Sequence, residues 1–323
     1  VRRDRGFALL GVLLVVALLT VVVLELTVAM RLEASAGRSF RDEMIGTHLA
    51  EAAVQQALRE VLGQAPIQGV DETGALVFYR LVPGSTLPVR LPSLPRSRVP
   101  LGAGEFSYRL ADEEARLNLN TASAGRLRRL LQTLGLDRRA RDVVVDSLQD
   151  WTDGDELSRA NGAESDDHYL KLPVPYRARN GRLQDLAELL QIRGVTPELY
   201  AGAEGRPGLA EVTTVFGRET VNLNTAPPPV LAALGLSEAE IGDLVQARIR
   251  APYTVLPRRF TGRGLGVGSA TFRIEAEGRV AGAPPARLVV VVERRNRGSA
   301  GGAPDDLATL DLGILSWRVG GAR

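Results

Sequence analysis

The stretch Val1–Glu25, "VRRDRGFALLGVLLVVALLTVVVLE", decides how the other three hundred residues are read. Arg2, Arg3 and Arg5 precede Gly6 and Phe7, and the eighteen residues from Phe7 to Leu24 carry no charge. Three fates are open to such a segment: a secretory signal, a permanent anchor, or a leader cut at Gly6 with the rest kept. At ~1.5 Å per residue, the run together with the apolar positions on to Met30 spans the ~30 Å hydrocarbon core. The basic start keeps the N-terminus cytoplasmic and sends everything after Met30 across the membrane. A secretory signal would show a small-residue cleavage site after a shorter apolar run, and "VAM" at 28–30 is only a loose approximation. The chain begins with Val, which implies an unusual start codon or a leader longer than six residues.

Beyond the apolar run, Leu32, Ala36, Phe40, Met44, Leu49, Ala53, Ala57 and Val61 recur mostly at spacings of four and five, and no Pro precedes Pro66. This predicts one helix over 7–62, with its first part in the membrane and its second laid against a soluble domain. Strand-like alternation appears at 75–82, 105–112, 270–280, 286–295 and 312–319. Pro- and Gly-rich breaks at 83–100, 262–269 and 298–304 predict mobile loops between them. The expected class is α+β: a long N-terminal helix on an antiparallel sheet, with a large helical domain inserted between two strands. The expected boundaries are a leader at 1–6, the helix at 7–62, sheet at 63–112, the insert at 113–265 and sheet again at 266–323.

Composition narrows function. The 323 residues contain no Cys, which removes disulfides, thiol nucleophiles and thiolate metal sites. The two His, His48 and His168, sit in no nucleophile motif, and a net charge of +2 gives no global pull on nucleic acid. The expectation is a protein that is not an enzyme.

The insert carries an internal repeat. "LNLNTAS" (Leu117–Ser123) returns as "VNLNTAP" (Val221–Pro227), each followed by a helical pattern and Leu-Gly-Leu at 134–136 and 234–236. Asn120 or Thr121 is the expected N-cap of the first helix. A helix, a short turn and a second helix resembles the helix-hairpin-helix module of membrane-anchored DNA-uptake receptors, the alternative function. A phosphate-binding hairpin needs Gly where this chain has Leu136 and Leu236, and the sequence after the first hairpin turns acidic. The hairpins therefore read as structural, with no nucleic acid expected.

From Asp142 to Asp167 lie nine carboxylates, with Arg159 the one basic residue between them. Asp142, Asp146 and Asp150 fall on one helix face and repel mildly. The loop after Trp151 suits a hard cation, for which calcium is the natural candidate outside the cytoplasm, although a solvated acidic loop is the commoner fate of such a run. It is not an EF-hand: with Asp153 and Asp155 at its first and third positions, Leu157 and Ser158 fall where an oxygen ligand and Gly belong.

The basic leader ending in Gly6, the following Phe7 and the helix that runs on into a soluble domain resemble a type IV prepilin-type N-terminus. The resemblance implies cleavage between Gly6 and Phe7 by a prepilin peptidase and methylation of Phe7. Most such proteins have Glu five residues after the cut, where this chain has Gly11. That absence is characteristic of the type II secretion minor pseudopilin K family. "LADEEARLNLNTAS", "DWTDGDELSRANGAESDDHY", "LKLPVPYRARNGRLQDLAELLQIRGVTPELYAG" and "VNLNTAPPPVLAALGL" match its landmarks in order over most of 110–236. The resemblance implies the pseudopilin fold, a single pass through the inner membrane with the bulk of the chain in the periplasm, and a place at the pseudopilus tip. The implied partners are the I- and J-type minor pseudopilins, with contacts reaching the secretin channel or the exported protein. It also implies structural calcium in the acidic loop, with Asp150, Asp153, Asp155, Glu164, Asp166 and Asp167 as the expected ligands.

Overall fold

The computed structural model describes residues 4–63, 67–82, 84, 87–296 and 310–320. Helix α1 covers Asp4–Gly63, about 90 Å at 1.5 Å per residue. It is followed by β1 (Ile67–Val70), β2 (Leu76–Arg80), β3 (Val89–Arg90), β4 (Val99–Leu101) and β5 (Gly104–Asp112). The insert contributes α2 (Ala124–Thr133), α3 (Arg138–Thr152), α4 (Pro228–Ala233) and α5 (Glu238–Arg250), with short 3-10 turns and two-residue bridges between them. The sheet then resumes as β6 (Thr271–Val280), β7 (Ala286–Asn296) and β8 (Leu310–Val319).

The main sheet is antiparallel, in the order β8-β7-β6-β5-β4. Strands β5 and β6 are direct neighbours, with Asp112 opposite Phe272, so everything from 113 to 270 leaves and re-enters the sheet at one point. The insert thus runs five residues past the expected 265. The strand expected at 75–82 is present as β2, but it joins β1 and β3 in a separate three-stranded sheet. Alternation gives a strand its two faces and says nothing of its partner. The prolines at 88, 92, 95 and 100 cannot donate to a continuous ladder, and they separate β2 from the main sheet. The expected loose segment at 262–269 contains Leu265–Gly266, which pairs in parallel with Val221–Asn222, and Leu265 is buried. The expected loop at 298–304 lies outside the described residues.

Only the last third of α1 is packed. Leu49, Ala50, Ala53, Val54, Ala57 and Val61 bury against Phe106, Tyr108 and Leu110 of β5, Phe272, Ile274 and Ala276 of β6, and Leu288, Val290 and Val292 of β7. The small residues let the helix lie close to the sheet. Gly278 sits beneath it, and a Cβ there would fall 2.0 Å from the carbonyl oxygen of Gly46. Tyr108 and Arg96 converge on the buried Glu60: the tyrosine hydroxyl donates at 2.8 Å and Arg96 Nε at 3.0 Å. From Leu9 to Met44 the apolar residues are exposed. The predicted stripe therefore packs at Leu49, Ala53, Ala57 and Val61, while Leu32, Phe40 and Met44 lie bare. The exposed part is long and apolar enough to cross a membrane. Residues 1–3 of the expected leader lie outside the described residues, as does the side chain of Phe7.

Candidate metal centre

The insert is built around its doubled motif. In the first copy, Asn120 Nδ2 donates to the carbonyls of Leu183 and Val215, and its Oδ1 accepts from Leu183 N–H at 2.9 Å. In the second copy, Asn224 Nδ2 donates to the carbonyls of Tyr253 and Val267, and its Oδ1 accepts from Tyr253 N–H at 2.8 Å. Asn118 and Asn222 each turn the backbone by accepting from the N–H two residues on. These asparagines are cross-chain ties rather than the expected N-caps. Ser123 caps α2, and α4 starts at a proline with no side-chain cap. An apolar run after Asn-Thr marks a helix start correctly but cannot show that the amide is claimed by a distant loop.

Gly135 and Gly235 take positive φ (91° and 85°), the left-handed turn that ends α2 and α4. In both hairpins the following amide is already used: Leu136 N–H donates to Leu131 C=O and Leu236 N–H to Leu231 C=O. Leu236 is buried in the insert core. With these amides bonded internally, the hairpins are structural pieces. Beneath the second copy, buried Arg248 has no carboxylate partner. Its Nη1 donates to the carbonyls of Leu223 and Ala226, and burial pulls its pKa down to about 10.

Three buried acids tie the insert to the sheet. Asp112 accepts from Ser269 Oγ, Thr225 Oγ1, Asn222 Nδ2 and Glu114 N–H. Glu113 faces Arg273 (2.6 Å) and Arg116 (3.1 Å). Glu114 accepts from Ala270 N–H and Thr271 Oγ1. Burial, and then the charge of Asp112, pushes Glu114 up to about 7 from 4.5, against the opposing pull of Arg218. The folded state therefore holds this proton more tightly than the unfolded chain. The stability it contributes is complete below about pH 4.5 and is lost as pH rises to about 7. At 2 % exposure the full effect is about 3 kcal/mol. Glu114→Gln keeps an acceptor for Ala270 N–H and lets the Thr271 hydroxyl turn. It should raise the urea midpoint at pH 7.5 and remove this fall between pH 4.5 and 7. A variant no more stable than the parent at pH 7.5 would refute the assignment.

The acidic loop leaves the C-terminus of α3. Asp142 and Asp146, expected to repel, share Arg128 (2.9 and 3.0 Å). Beyond them, oxygens of Asp153, Asp155 and Glu164 lie within 4.8 Å of one another. Glu164 is 1 % exposed. Among the described residues neither of its oxygens has a hydrogen-bond partner, and Asp153 Oδ1 is likewise buried and unpartnered. Burial, then the charges of Asp150, Glu156, Asp153 and Asp155, push Glu164 up to about 7. Buried carboxylate oxygens that converge on one point without a hydrogen-bond partner suit a hard, oxygen-seeking cation. The donor set fits calcium.

The other expected ligands stand outside this cluster. Buried Asp150 accepts from the Arg159 backbone N–H and from Arg159 Nη1 (2.6 Å). Asp167 accepts from Glu164 N–H at 2.8 Å and from the Ser158 hydroxyl at 2.6 Å, holding the turn that carries Glu164. Asp166 is exposed. Arg159 also reaches Asp153 Oδ2, so one guanidinium offsets part of the loop's negative charge. Asn180 enters the same region from downstream. It takes a positive φ of 50°, its Nδ2 donates to Asp155 C=O and Glu156 Oε1, and its Oδ1 is buried without a partner. The Asn180-Gly181 pair is a turn signal in the sequence, and it is the one cue that could have singled Asn180 out.

Comparison with known proteins bears on the whole chain. The profile of the family described as "Type II secretion system (T2SS), protein K" matches residues 108–205, which include the end of β5, the first Asn-Thr motif and the acidic loop. Type II secretion system protein K of Pectobacterium carotovorum subsp. carotovorum is 31 % identical over 278 residues, 79 % of this chain and 78 % of that protein. The Pseudomonas aeruginosa protein of the same name is 29 % identical over 269 residues, 78 % of this chain and 74 % of that one. A chain of the GspK-GspI-GspJ complex from the enterotoxigenic Escherichia coli type 2 secretion system has a similar fold. Its TM-score is 0.60 at 17 % identity, over 90 % of this chain and 100 % of that one.

Proposed function

Because the chain belongs to the type II secretion system protein K family, a minor pseudopilin of that machine, we propose that it caps the pseudopilus and supports its assembly for export across the outer membrane. The observation that carries this reading is the placement of residues 113–270 as one bulky body between neighbouring strands β5 and β6, above a helix whose apolar residues from Leu9 to Met44 are exposed. A body of that size at the head of the rod leaves no room for another subunit to stack above it, while the exposed length of α1 remains free to bundle below. The complex containing GspI and GspJ supports minor pseudopilins of those two kinds as the bundle partners. The apolar segment supports a single pass through the inner membrane with the globular part in the periplasm.

Maturation belongs to the same proposal. A prepilin peptidase cuts between Gly6 and Phe7, and Phe7 is then methylated. Gly11, lacking a carboxylate, offers nothing to pair with the amine of a subunit above. Calcium is held by Asp153, Asp155 and Glu164, with Asn180 as a neutral oxygen beside them. It offsets the charge of the loop and fixes it on the end of α3. The secretin or the exported protein is the contact for the exposed top of the insert.

Intact mass and N-terminal sequencing of the protein from inner-membrane fractions test the reading. The expected chain starts at N-methylated Phe7 and co-purifies with the I- and J-type subunits. A chain that keeps Arg2–Gly6 in cells with an active prepilin peptidase would make the segment a plain anchor and sink the proposal.

A further inference from the structure

The far edge of the main sheet carries a second binding surface. β8 is the last strand in the order, with no strand beyond it among the described residues. Gly320 N–H donates to Arg287 C=O, and antiparallel pairing alternates. The backbone groups of Val319 and Trp317 therefore turn away from β7, toward the free edge. Edge strands are usually blunted by charge, proline or cover, yet this one is apolar along one face. Ile314, Trp317 and Val319 lie opposite Val292, Val290 and Leu288, which face α1, so the three share the α1 side of the sheet. All three are exposed, Trp317 at 42 %.

The other side of the same edge is basic. Between Val291↔Ser316 and Val292↔Ile314 the register slips, and Leu315 is the extra residue of a bulge. Bulges re-aim a side chain beside functional surfaces. Leu315 lines a groove of about 780 Å³ whose opposite wall is the insert segment carrying Arg179, Arg182, Gln184 and Phe216. Arg318 closes on Asp185 at 2.7 Å, and Arg179 is engaged with Glu188 at 3.3 Å. The Arg182 side chain is exposed and has no partner among the described residues. The groove's lining carries Arg179 and Arg182 and, among the described residues, no carboxylate, which leaves it positive.

We infer that β8 accepts an extended segment of a partner polypeptide as an added strand, with apolar residues alternating with acidic ones. Each part of the surface selects one property of that segment. The free backbone of Val319 and Trp317 takes a strand, the Ile314–Trp317–Val319 stripe takes its apolar face, and Arg182 takes its carboxylates. The period of two puts the apolar and acidic positions on opposite faces. The surface uses no residue of the bare length of α1, so the inference goes beyond the tip reading and stands or falls without it.

The test uses the full chain in detergent micelles and two ten-residue peptides, one alternating Val and Asp and the other Val and Lys. The two tryptophans separate cleanly, since Trp151 is 2 % exposed and Trp317 sits on the edge. The Val/Asp peptide should shift Trp317 emission saturably to the blue, and the Val/Lys peptide should bind at least tenfold more weakly. Val319→Pro, at a position where an edge strand tolerates the missing N–H, should weaken Val/Asp binding at least tenfold. Arg182→Glu should reverse the preference. A Val/Asp peptide N-methylated on alternate amides gives the same test without altering the protein, and it should not bind. Equal binding of both peptides, binding that survives N-methylation, or no Trp317 response up to the solubility limit would each overturn the inference.

Discussion

Chelating divalent cations should lower the thermal midpoint of the full chain by about 5 °C, and adding calcium back should restore it. A ligand at a hundred times its dissociation constant stabilises by about 2.7 kcal/mol, and in a large domain each kcal/mol moves the midpoint by about 2 °C. The geometry explains the sign. Without a cation, oxygens of Asp153, Asp155 and Glu164 crowd within 4.8 Å, and both oxygens of Glu164 are buried with nothing to accept from. Glu164→Gln removes one charge and supplies its own donors. It should therefore raise the midpoint of the calcium-free protein at neutral pH while abolishing the response to calcium. Differential scanning fluorimetry in EGTA and in calcium reads both effects. If Glu164→Gln still responded to calcium as the parent does, the ion would be bound elsewhere.

Asp112→Ala should cost about 3–5 kcal/mol, the range for breaking a buried charged network from one side. The carboxylate collects two hydroxyls, an amide and a backbone N–H, from Ser269, Thr225, Asn222 and Glu114. Alanine leaves all four groups facing a void. Burial raises the Asp112 pKa, with these hydrogen bonds opposing it, so the group is costly to bury and costlier to remove. Asp166→Ala, on the exposed side of the acidic loop, is the matched control and should change little. The comparison is read in urea midpoints. A loss at Asp112 below about 1 kcal/mol would mean that the insert is held to the sheet by other contacts.

Much of this architecture is legible in the chain. Three arginines, an eighteen-residue apolar run and a proline-free continuation specify α1, and alternation specifies β2, β5, β6, β7 and β8 but not the short β1, β3 and β4. What stays hidden is partnership. Nothing local says that 76–80 leaves the main sheet or that 265–266 pairs with 221–222. At the acidic loop, carboxylate density in the sequence leads to the segment where Asp153, Asp155 and Glu164 converge. Asp150 and Asp167 resemble Asp153 and Glu164 in sequence, and only the fold gives the first two to Arg159, Ser158 and the turn at Glu164 while leaving the others open. Asn180 reaches this loop from another segment, through a backbone turn with positive φ, so carboxylate density alone does not point to it. The repeated asparagines were placed correctly in the chain and given the wrong role, because a capping amide and a cross-chain tie start from the same Asn-Thr.

The pairing of Asp112 with Phe272 also governs the order in which the molecule can form. Closing a flexible loop as long as 113–270 before any of it is structured would cost on the order of 4 kcal/mol in chain entropy. Once the insert has folded, with Glu113–Glu114 at one end and Ala270–Thr271 at the other already in contact, its two ends stand side by side. The longest-range pairing in the sheet then becomes as easy to close as a hairpin. On this entropy argument, forming the insert first lowers the cost of zipping the sheet that carries it.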